Sequence, residues 1–241
     1  MISLAVFDMA GTTINDGGAV YRALEHAVVE TGATVSAADL QTWMGVEKRE
    51  AITALIELGG GVASDAQVAA TFARFRALLD EYYTAEPPTP IDGVPEAIAA
   101  LQAAGIRVAL TTGFSRDVAE GILAGLGWTV GEAGSPAGGP GGGAAGVPAV
   151  RVDALSCGDD VAAGRPAPYM IHRVMEATGT LSVAEVLVAG DTAVDVRAGV
   201  NSGAAESIGV LTGKLTREDF AAEPASAVLG SVAEIPARLG L

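Results

Sequence analysis

Short apolar runs that end at an acidic or small polar residue, each followed by a helical pattern, constrain this chain more than any other feature. Residues 2–7 are Ile, Ser, Leu, Ala, Val and Phe, and they end at Asp8. The run is too short for a typical helix and shows no regular polar alternation, so it reads as a strand buried on both faces of a parallel sheet. Residues 106–110 repeat the pattern and end at Thr111, Thr112 and Gly113; residues 186–189 repeat it and end at Gly190 and Asp191. Residues 207–211 and 227–229 are weaker versions, and residues 152–155 supply a candidate sixth strand. Between the runs, Pro95 starts a helical pattern that ends near Gly105, Ser115 stands at the cap position of another, and Pro166 opens one that runs to about Thr178. Strand and helix in alternation predict an α/β fold with a doubly wound parallel sheet.

Residues 16–90 interrupt that alternation with helical periodicity and no strand. Val20, Leu24, Ala27 and Val28 recur at helical spacing, Ser36 and Asp39 resemble a capping box ahead of Leu40 and Trp43, and Ile52, Leu55 and Ile56 make a third stripe. Val68, Phe72, Phe75, Leu79 and Tyr82 make a fourth. Pro87, Pro88 and Pro90 stiffen the return. The predicted organisation is a core of residues 1–15 and 91–241 with a helical cap domain, residues 16–90, inserted on two linkers. Within the core, residues 131–150 hold eight glycines and three prolines. Side chains so small bury too little surface to offset the ordering of their backbone, so a flexible surface loop is expected. No Lys with a neighbouring Ser or Thr accompanies these glycines, which argues against a phosphate-cradling loop.

Charge and composition narrow the function. A chain of 241 residues, half of them apolar, can bury a core large enough for one sizeable domain or a domain with an insert. A net charge of −15 works against nucleic acid and against an anionic membrane surface, both of which reward clustered Lys and Arg, so neither is an expected partner. The single cysteine, Cys157, has no internal partner for a disulfide, no leader is expected ahead of the first strand, and no stretch approaches the ~18 apolar residues of a membrane span. A cytoplasmic location is expected.

Open parallel sheets bind ligands at the carboxyl ends of their strands, and four segments place chemistry there. Asp8 closes the first run and is followed by Met9, Ala10, Gly11, Thr12 and Thr13. Thr112 and Gly113 offer a hydroxyl and backbone N–H groups. Arg165, between Gly164 and Pro166, offers a fixed cation at a helix start, and Asp191 with Asp195 offers two carboxylates. An aspartate after a strand is often only a helix cap; four such segments together make a cluster of anions and cations at one sheet edge.

In this order the four segments resemble the four motifs of the haloacid dehalogenase (HAD) superfamily, and the resemblance spans nearly the whole chain. It implies a HAD-like Rossmannoid core, a hydrolase with Asp8 as nucleophile, phosphoryl contacts from Thr112 and Arg165, and Mg²⁺ held by Asp8, Asp191 and the carbonyl of Ala10. Asp195 then orients the network, and residues 16–90 correspond to that family's mobile cap. Mg²⁺ prefers an octahedron of oxygens with several waters retained, which two carboxylates and one carbonyl suit. Most phosphatases that this chain resembles carry a second aspartate two residues after the nucleophile, as acid for the leaving alcohol; here that position is Ala10. General acid help is typically worth about 10²–10⁴ in rate, so another group must help or the leaving group must differ. The same alanine marks the phosphonoacetaldehyde hydrolase-like branch, the phosphonatases, which cleave a carbon–phosphorus bond after a cap lysine condenses with the substrate aldehyde.

Trp43, Met44, Gly45, Val46, Glu47 and Lys48 resemble the phosphonatase segment that carries this lysine, which makes Lys48 the candidate imine former and Met44 its neighbour. Arg49 could be the cation that lowers the proton affinity of Lys48, and Glu47 would oppose it. Three positions depart from the branch: its histidine three residues after the lysine falls on Ala51, its tyrosine after Gly113 falls on Phe114, and a cysteine of its first loop falls on Gly18. The expected function is Mg²⁺-dependent hydrolysis of a small phosphonate through an aspartyl-phosphate. The alternative is hydrolysis of a small phosphate monoester of the phosphoglycolate or sugar-phosphate type, with Lys48 as a recognition cation. A third reading, a non-catalytic phospholigand-binding module, is disfavoured by the joint presence of Asp8, Thr112, Arg165 and Asp191. A homodimer is suggested by the resemblance alone. Elsewhere, His26 and His172 have no partners at metal-ligand spacing, the adjacent Asp159 and Asp160 read as a solvated pair, and Cys157 reads as a small buried residue.

Overall fold

The computed structural model describes residues 1–131 and 150–241, so the loop expected at residues 131–150 falls almost wholly outside the described residues. The chain opens with β1 (Leu4–Asp8) and a short β2 (Ile14–Asn15), then enters four helices, α1 (Ala19–Val29), α2 (Ala37–Thr42), α3 (Lys48–Leu58) and α4 (Asp65–Ala85). It returns through β3 (Thr89–Pro90) to α5 (Val94–Ala103), β4 (Arg107–Thr112), α6 (Arg116–Leu126), β5 (Thr129–Val130), β6 (Arg151–Val152) and β7 (Ala154–Cys157). The remainder is α7 (Tyr169–Thr178), β8 (Val186–Gly190), α8 (Ala193–Ser202), β9 (Glu206–Val210), α9 (Arg217–Phe220), β10 (Ala227–Leu229) and α10 (Ile235–Arg238).

Six strands form one parallel sheet in the order β10-β9-β8-β1-β4-β7. All five residues of β1, in the middle, are buried. Alternate side chains point to opposite faces of a strand. Ala5 and Phe7 accordingly join an apolar cluster with Val94, Ile98 and Leu101 of α5, whereas Leu4 and Val6 join one with Ile171, Val174 and Met175 of α7 and Ala198 of α8. Helices on both faces explain why these strands carry no polar alternation. Burying a side chain such as Phe7 contributes roughly 1.5–3 kcal/mol, so β1 is anchored and Asp8 is fixed at its carboxyl end. The chain steps outward from β1 through β4 to β7 and then returns to β8 on the other side of β1. Such a reversal opens a crevice at the carboxyl ends of the strands around it.

The helices between β2 and β3 are held by the stripes read in the sequence. Val20, Leu24, Ala27 and Val28 of α1, Ile52, Leu55 and Ile56 of α3, and Val68, Phe75 and Leu79 of α4 are buried, while Phe72 and Tyr82 pack at the edge. The Ser36 hydroxyl caps α2 by accepting from Asp39 N at 3.0 Å. The β2–β3 pair, Ile14 with Pro90 and Asn15 with Thr89, puts β3 in the stretch 16–90 expected to hold no strand. Two residues on each side are too few for a periodic signal, and Pro90 itself argues against strand.

Other boundaries differ for reasons of distant contact. The sixth strand covers Ala154–Cys157 instead of residues 152–155, because the Asp153 carboxylate accepts from Val108 N at 2.8 Å and interrupts the run there. Helix α7 begins at Tyr169 instead of Pro166, because a turn in which Ala167 N donates to Gly164 O at 3.0 Å occupies the intervening residues. Ser115 does stand at the N-cap of α6, but its hydroxyl donates to Asp117 Oδ1 at 2.6 Å and makes no cap bond. No helix among the described residues is long and apolar enough to cross a membrane.

Candidate active site

Asp8 ends β1 in the crevice with 8% of its surface exposed. Asp191, directly after β8, and Asp195, in the first turn of α8, each bring a carboxylate oxygen within 4.8 Å of the others and of Asp8. Arg165 divides the labour among them. Its Nη1 lies 2.7 Å from Asp8 Oδ1 and also donates to Asp195 Oδ1. The other oxygen of Asp195 accepts from Thr192 N at 3.0 Å and from the Thr192 hydroxyl. With both oxygens engaged, Asp195 positions Arg165 and the start of α8. Asp191 is freer: Thr12 Oγ1 donates to its Oδ1 at 3.0 Å, and its Oδ2 is approached by two glycines. A β-carbon at Gly213 would lie 2.0 Å from that oxygen, and one at Gly11 would lie 2.5 Å from it. Burial, and then the charge of Asp8, raises the Asp191 carboxyl well above the ordinary carboxylate range. Two buried carboxylates that repel each other are the donor set that a hard divalent cation satisfies, so the residues present fit Mg²⁺.

The cavity above these carboxylates has a volume of about 430 Å³ and is lined from both the sheet and the helical insert. Insert residues 44–48 enter it against glycines. A β-carbon on Gly113 would stand 2.9 Å from Val46 O, one on Gly164 3.3 Å from Glu47 Cβ, and one on Gly45 2.6 Å from Thr192 Oγ1. Gly45 also has φ +81°, a conformation that a β-carbon disfavours. The Glu47 carboxylate turns back to accept from Arg49 N at 2.8 Å and Glu50 N at 3.0 Å, which caps α3. Lys48 therefore points inward, 4% exposed, with Nζ donating to Val46 O at 3.1 Å. Burial first, and the nearby Arg165 charge second, lower its pKa to about 8, against the opposing pull of Asp8 and Glu47. Arg49, the neighbour expected to do this, lies instead over the Phe72 ring at 4.3 Å on the outside of the insert.

Asp8, Ala10, Met44, Lys48, Thr112, Gly113, Arg165 and Asp191 all line this one cavity, and Asp195 stands behind it. Thr112 Oγ1 accepts from Phe114 N at 3.2 Å. Phe114 also lines the cavity, and Ala51 is buried one turn along α3 from Lys48, so neither position carries a proton donor. Sequence reasoning missed Tyr21, Thr212, Gly213 and Lys214, which line the same space. Thr212 Oγ1 donates to Gly11 O at 2.6 Å, and the available signal was position, since 212–214 follow the carboxyl end of β9. Asp159 and Asp160 are not a solvated pair: Asp159 accepts from Arg116 N at 2.9 Å, and Asp160 accepts from Cys157 N at 2.8 Å and pairs with the Arg116 guanidinium. His172 bonds Ser202 O and His26 bonds the Tyr82 hydroxyl. Burial pushes the Cys157 thiol up to about 12, so it is not a nucleophile near neutral pH.

Known proteins resemble this chain in sequence and fold. A family model for haloacid dehalogenase-like hydrolases matches residues 2–203. The chain is 28% identical over 223 residues to a phosphonoacetaldehyde hydrolase from Bacillus cereus, covering 88% of this chain and 76% of that protein. It is 29% identical over 249 residues to one from Parabacteroides distasonis, covering 93% and 83%. A solved phosphonoacetaldehyde hydrolase-like protein from Oleispira antarctica shares the fold, with a TM-score of 0.72 and 20% identity over 99% of this chain and 91% of that one. The family match runs from the strand that ends at Asp8 to the helix that follows Asp191, and so takes in Asp8, Lys48, Thr112, Arg165, Asp191 and Asp195; the chain belongs to the haloacid dehalogenase-like hydrolases and is a hydrolase.

Proposed function

We propose that this hydrolase is Mg²⁺-dependent and cleaves the carbon–phosphorus bond of a small phosphonate that carries an aldehyde or ketone one carbon away from phosphorus, through an aspartyl-phosphate on Asp8. One observation carries the reading: Lys48 is a buried amine with its pKa lowered to about 8, and it faces the cavity that Asp8 closes. Such an amine is partly neutral near physiological pH and can add to a carbonyl, releasing water and leaving an iminium. The Asp8 oxygen then attacks phosphorus, and the electron pair of the carbon–phosphorus bond moves into an enamine instead of a bare carbanion. A proton on that carbon and one water return the aldehyde or ketone and the Lys48 amine; a second water releases phosphate from Asp8. The absence of an acid at Ala10 is consistent with a leaving group of this kind. Arg165 and the Thr112 hydroxyl stabilise charge on the equatorial oxygens of the transferring group. Mg²⁺ bound by Asp8, Asp191 and the Ala10 carbonyl would neutralise charge so that an anionic nucleophile can meet an anionic substrate. The helical insert serves as the cap, and its contact with Gly113 and Gly164 delivers Lys48 and excludes water. The phosphonoacetaldehyde hydrolases among the relatives support a substrate of this class.

Borohydride added with phosphonoacetaldehyde should reduce the iminium, inactivate the enzyme and leave a mass adduct on the Lys48 peptide. Lys48→Arg keeps the charge and should lose carbon–phosphorus cleavage while still binding phosphate. The alternative, hydrolysis of a small phosphate monoester, is favoured by Ala51 and Phe114, which put no proton carrier beside Lys48. No adduct, together with phosphate-ester hydrolysis retained in Lys48→Arg, would select it.

A further inference from the structure

The chain has twelve arginines and two lysines, Lys48 and Lys214, and both lysines line the same cavity. Lys214 reaches it from the loop after β9, next to the Gly213 that packs on Asp191. Its ammonium stands 5.4 Å above the centre of the Tyr21 ring. That ring is fixed in turn, because the Tyr21 hydroxyl donates to Gln41 Oε1 at 2.9 Å. Tyr21 and Gln41 belong to the helical insert and Lys214 to the sheet, so the contact spans the two across the mouth of the cavity. Arginines such as Arg74, Arg116 and Arg197 are each paired with a carboxylate. Lys214 has no carboxylate partner among the described residues, and the aromatic face is its charge contact. Besides Asp8 and Asp191, two further acids share the lining: Asp16 is engaged, its oxygens accepting from Gly18 N and Val20 N at 3.0 Å each, and Asp92 is exposed.

The steps assigned to Asp8, Arg165, Thr112 and Lys48 leave this cation without a task. About 430 Å³ is within the range that drug-sized ligands fill and leaves room beyond a phosphoryl group and two carbons. An ammonium seated on a ring keeps donors free for an anion. We infer that Lys214, backed by Tyr21, binds a carboxylate at the carbon end of the substrate, so that this enzyme selects phosphonates or phosphates bearing a second, carboxylate anion. The inference rests on the reading of the cavity as a phosphoryl site, and not on which bond is cleaved.

Calorimetry on the Mg²⁺-loaded full chain with three probes that cannot form an imine separates the possibilities. Phosphonoacetate or 3-phosphonopropionate should bind at least about tenfold more tightly than ethylphosphonate, the low end of what a charge-assisted hydrogen bond gives. Lys214→Gln, at an exposed position, should erase that preference without weakening ethylphosphonate, and Lys214→Arg should retain most of it. No preference in the wild type, or a preference that survives Lys214→Gln, overturns the inference and leaves the phosphoryl site standing. Failure of all three probes to bind sinks the phosphoryl reading itself, and the inference with it.

Discussion

Lys48 is held where its pKa falls from 10.5 to about 8, and that shift is a statement about stability as well as reactivity. The unfolded chain keeps the ordinary value, so between about 8 and 10.5 the unfolded state binds a proton that the folded state does not, and stability rises with pH through that window. Below about 8 both states are protonated and the folded state bears the whole cost, roughly 3 kcal/mol; above 10.5 neither is charged and the cost is gone. Methionine is similar in length and has no charge to desolvate. Lys48→Met should therefore recover most of that cost at neutral pH, less about 1 kcal/mol for the lost bond to Val46 O. A net gain of about 2 kcal/mol corresponds to a Tm higher by roughly 4–8 °C in a protein of this size. Urea denaturation of both proteins, near pH 7 and near pH 10 and with EDTA present so that no cation alters the balance, measures it. The variant's advantage should disappear at the higher pH, and the variant should show no carbon–phosphorus cleavage at either. A variant less stable than the wild type at neutral pH, or an advantage that persists near pH 10, would refute the buried, depressed amine on which the proposed imine chemistry depends.

Asp8→Asn removes both the proposed nucleophile and one of the two repelling carboxylates. Phosphate release should fall to background, the Asp191 carboxyl should titrate lower because Asp8 no longer opposes its ionisation, and Mg²⁺ should raise the Tm of the wild type more than that of the variant; an equal rise would place the cation elsewhere. Gly113→Ala would put a β-carbon 2.9 Å from Val46 O, a backbone atom that can yield only by moving the segment that carries Lys48. Displacement of a catalytic group by about 1 Å can cost on the order of 10² in rate, so kcat and borohydride labelling of Lys48 should drop together while the fold persists by circular dichroism. Unchanged kcat would show that the segment does not depend on this contact.

Buried parallel strands leave a legible record, because a run that is apolar on both faces and then stops at a polar residue marks the edge where ligands bind. Asp8, Thr112 and Asp191 could be named from that position alone. Features set by distant partners could not. Nothing local distinguishes Arg165 from Arg49 as the charge beside Lys48; the choice follows from Glu47 capping α3 and turning Lys48 inward. Asp159 looks solvated until α6 brings Arg116 N to it, and Asp153 decides where β7 begins through its bond to Val108. Strand β9 is weakly apolar because it carries Gly209, where a β-carbon would lie 2.7 Å from the Phe220 ring. That weak pattern masks the strand end beside which Lys214 sits.

Strands β2 and β3 set the two points where the chain leaves and rejoins the sheet side by side, and Ile91 N adds a further rung by donating to Thr13 O at 3.1 Å. Facing residues of an antiparallel ladder are about 5 Å apart, a gap that one or two residues can bridge. The four helices are thus a parenthesis in the chain: cutting at the ladder and joining Asn15 to Thr89 would remove them without re-threading a single strand. Equally, any module whose ends lie a ladder-width apart can be spliced in at the same place. Such an exchange would replace Lys48 and everything else the insert brings to the cavity, while the carboxylates at the strand ends stay where they are.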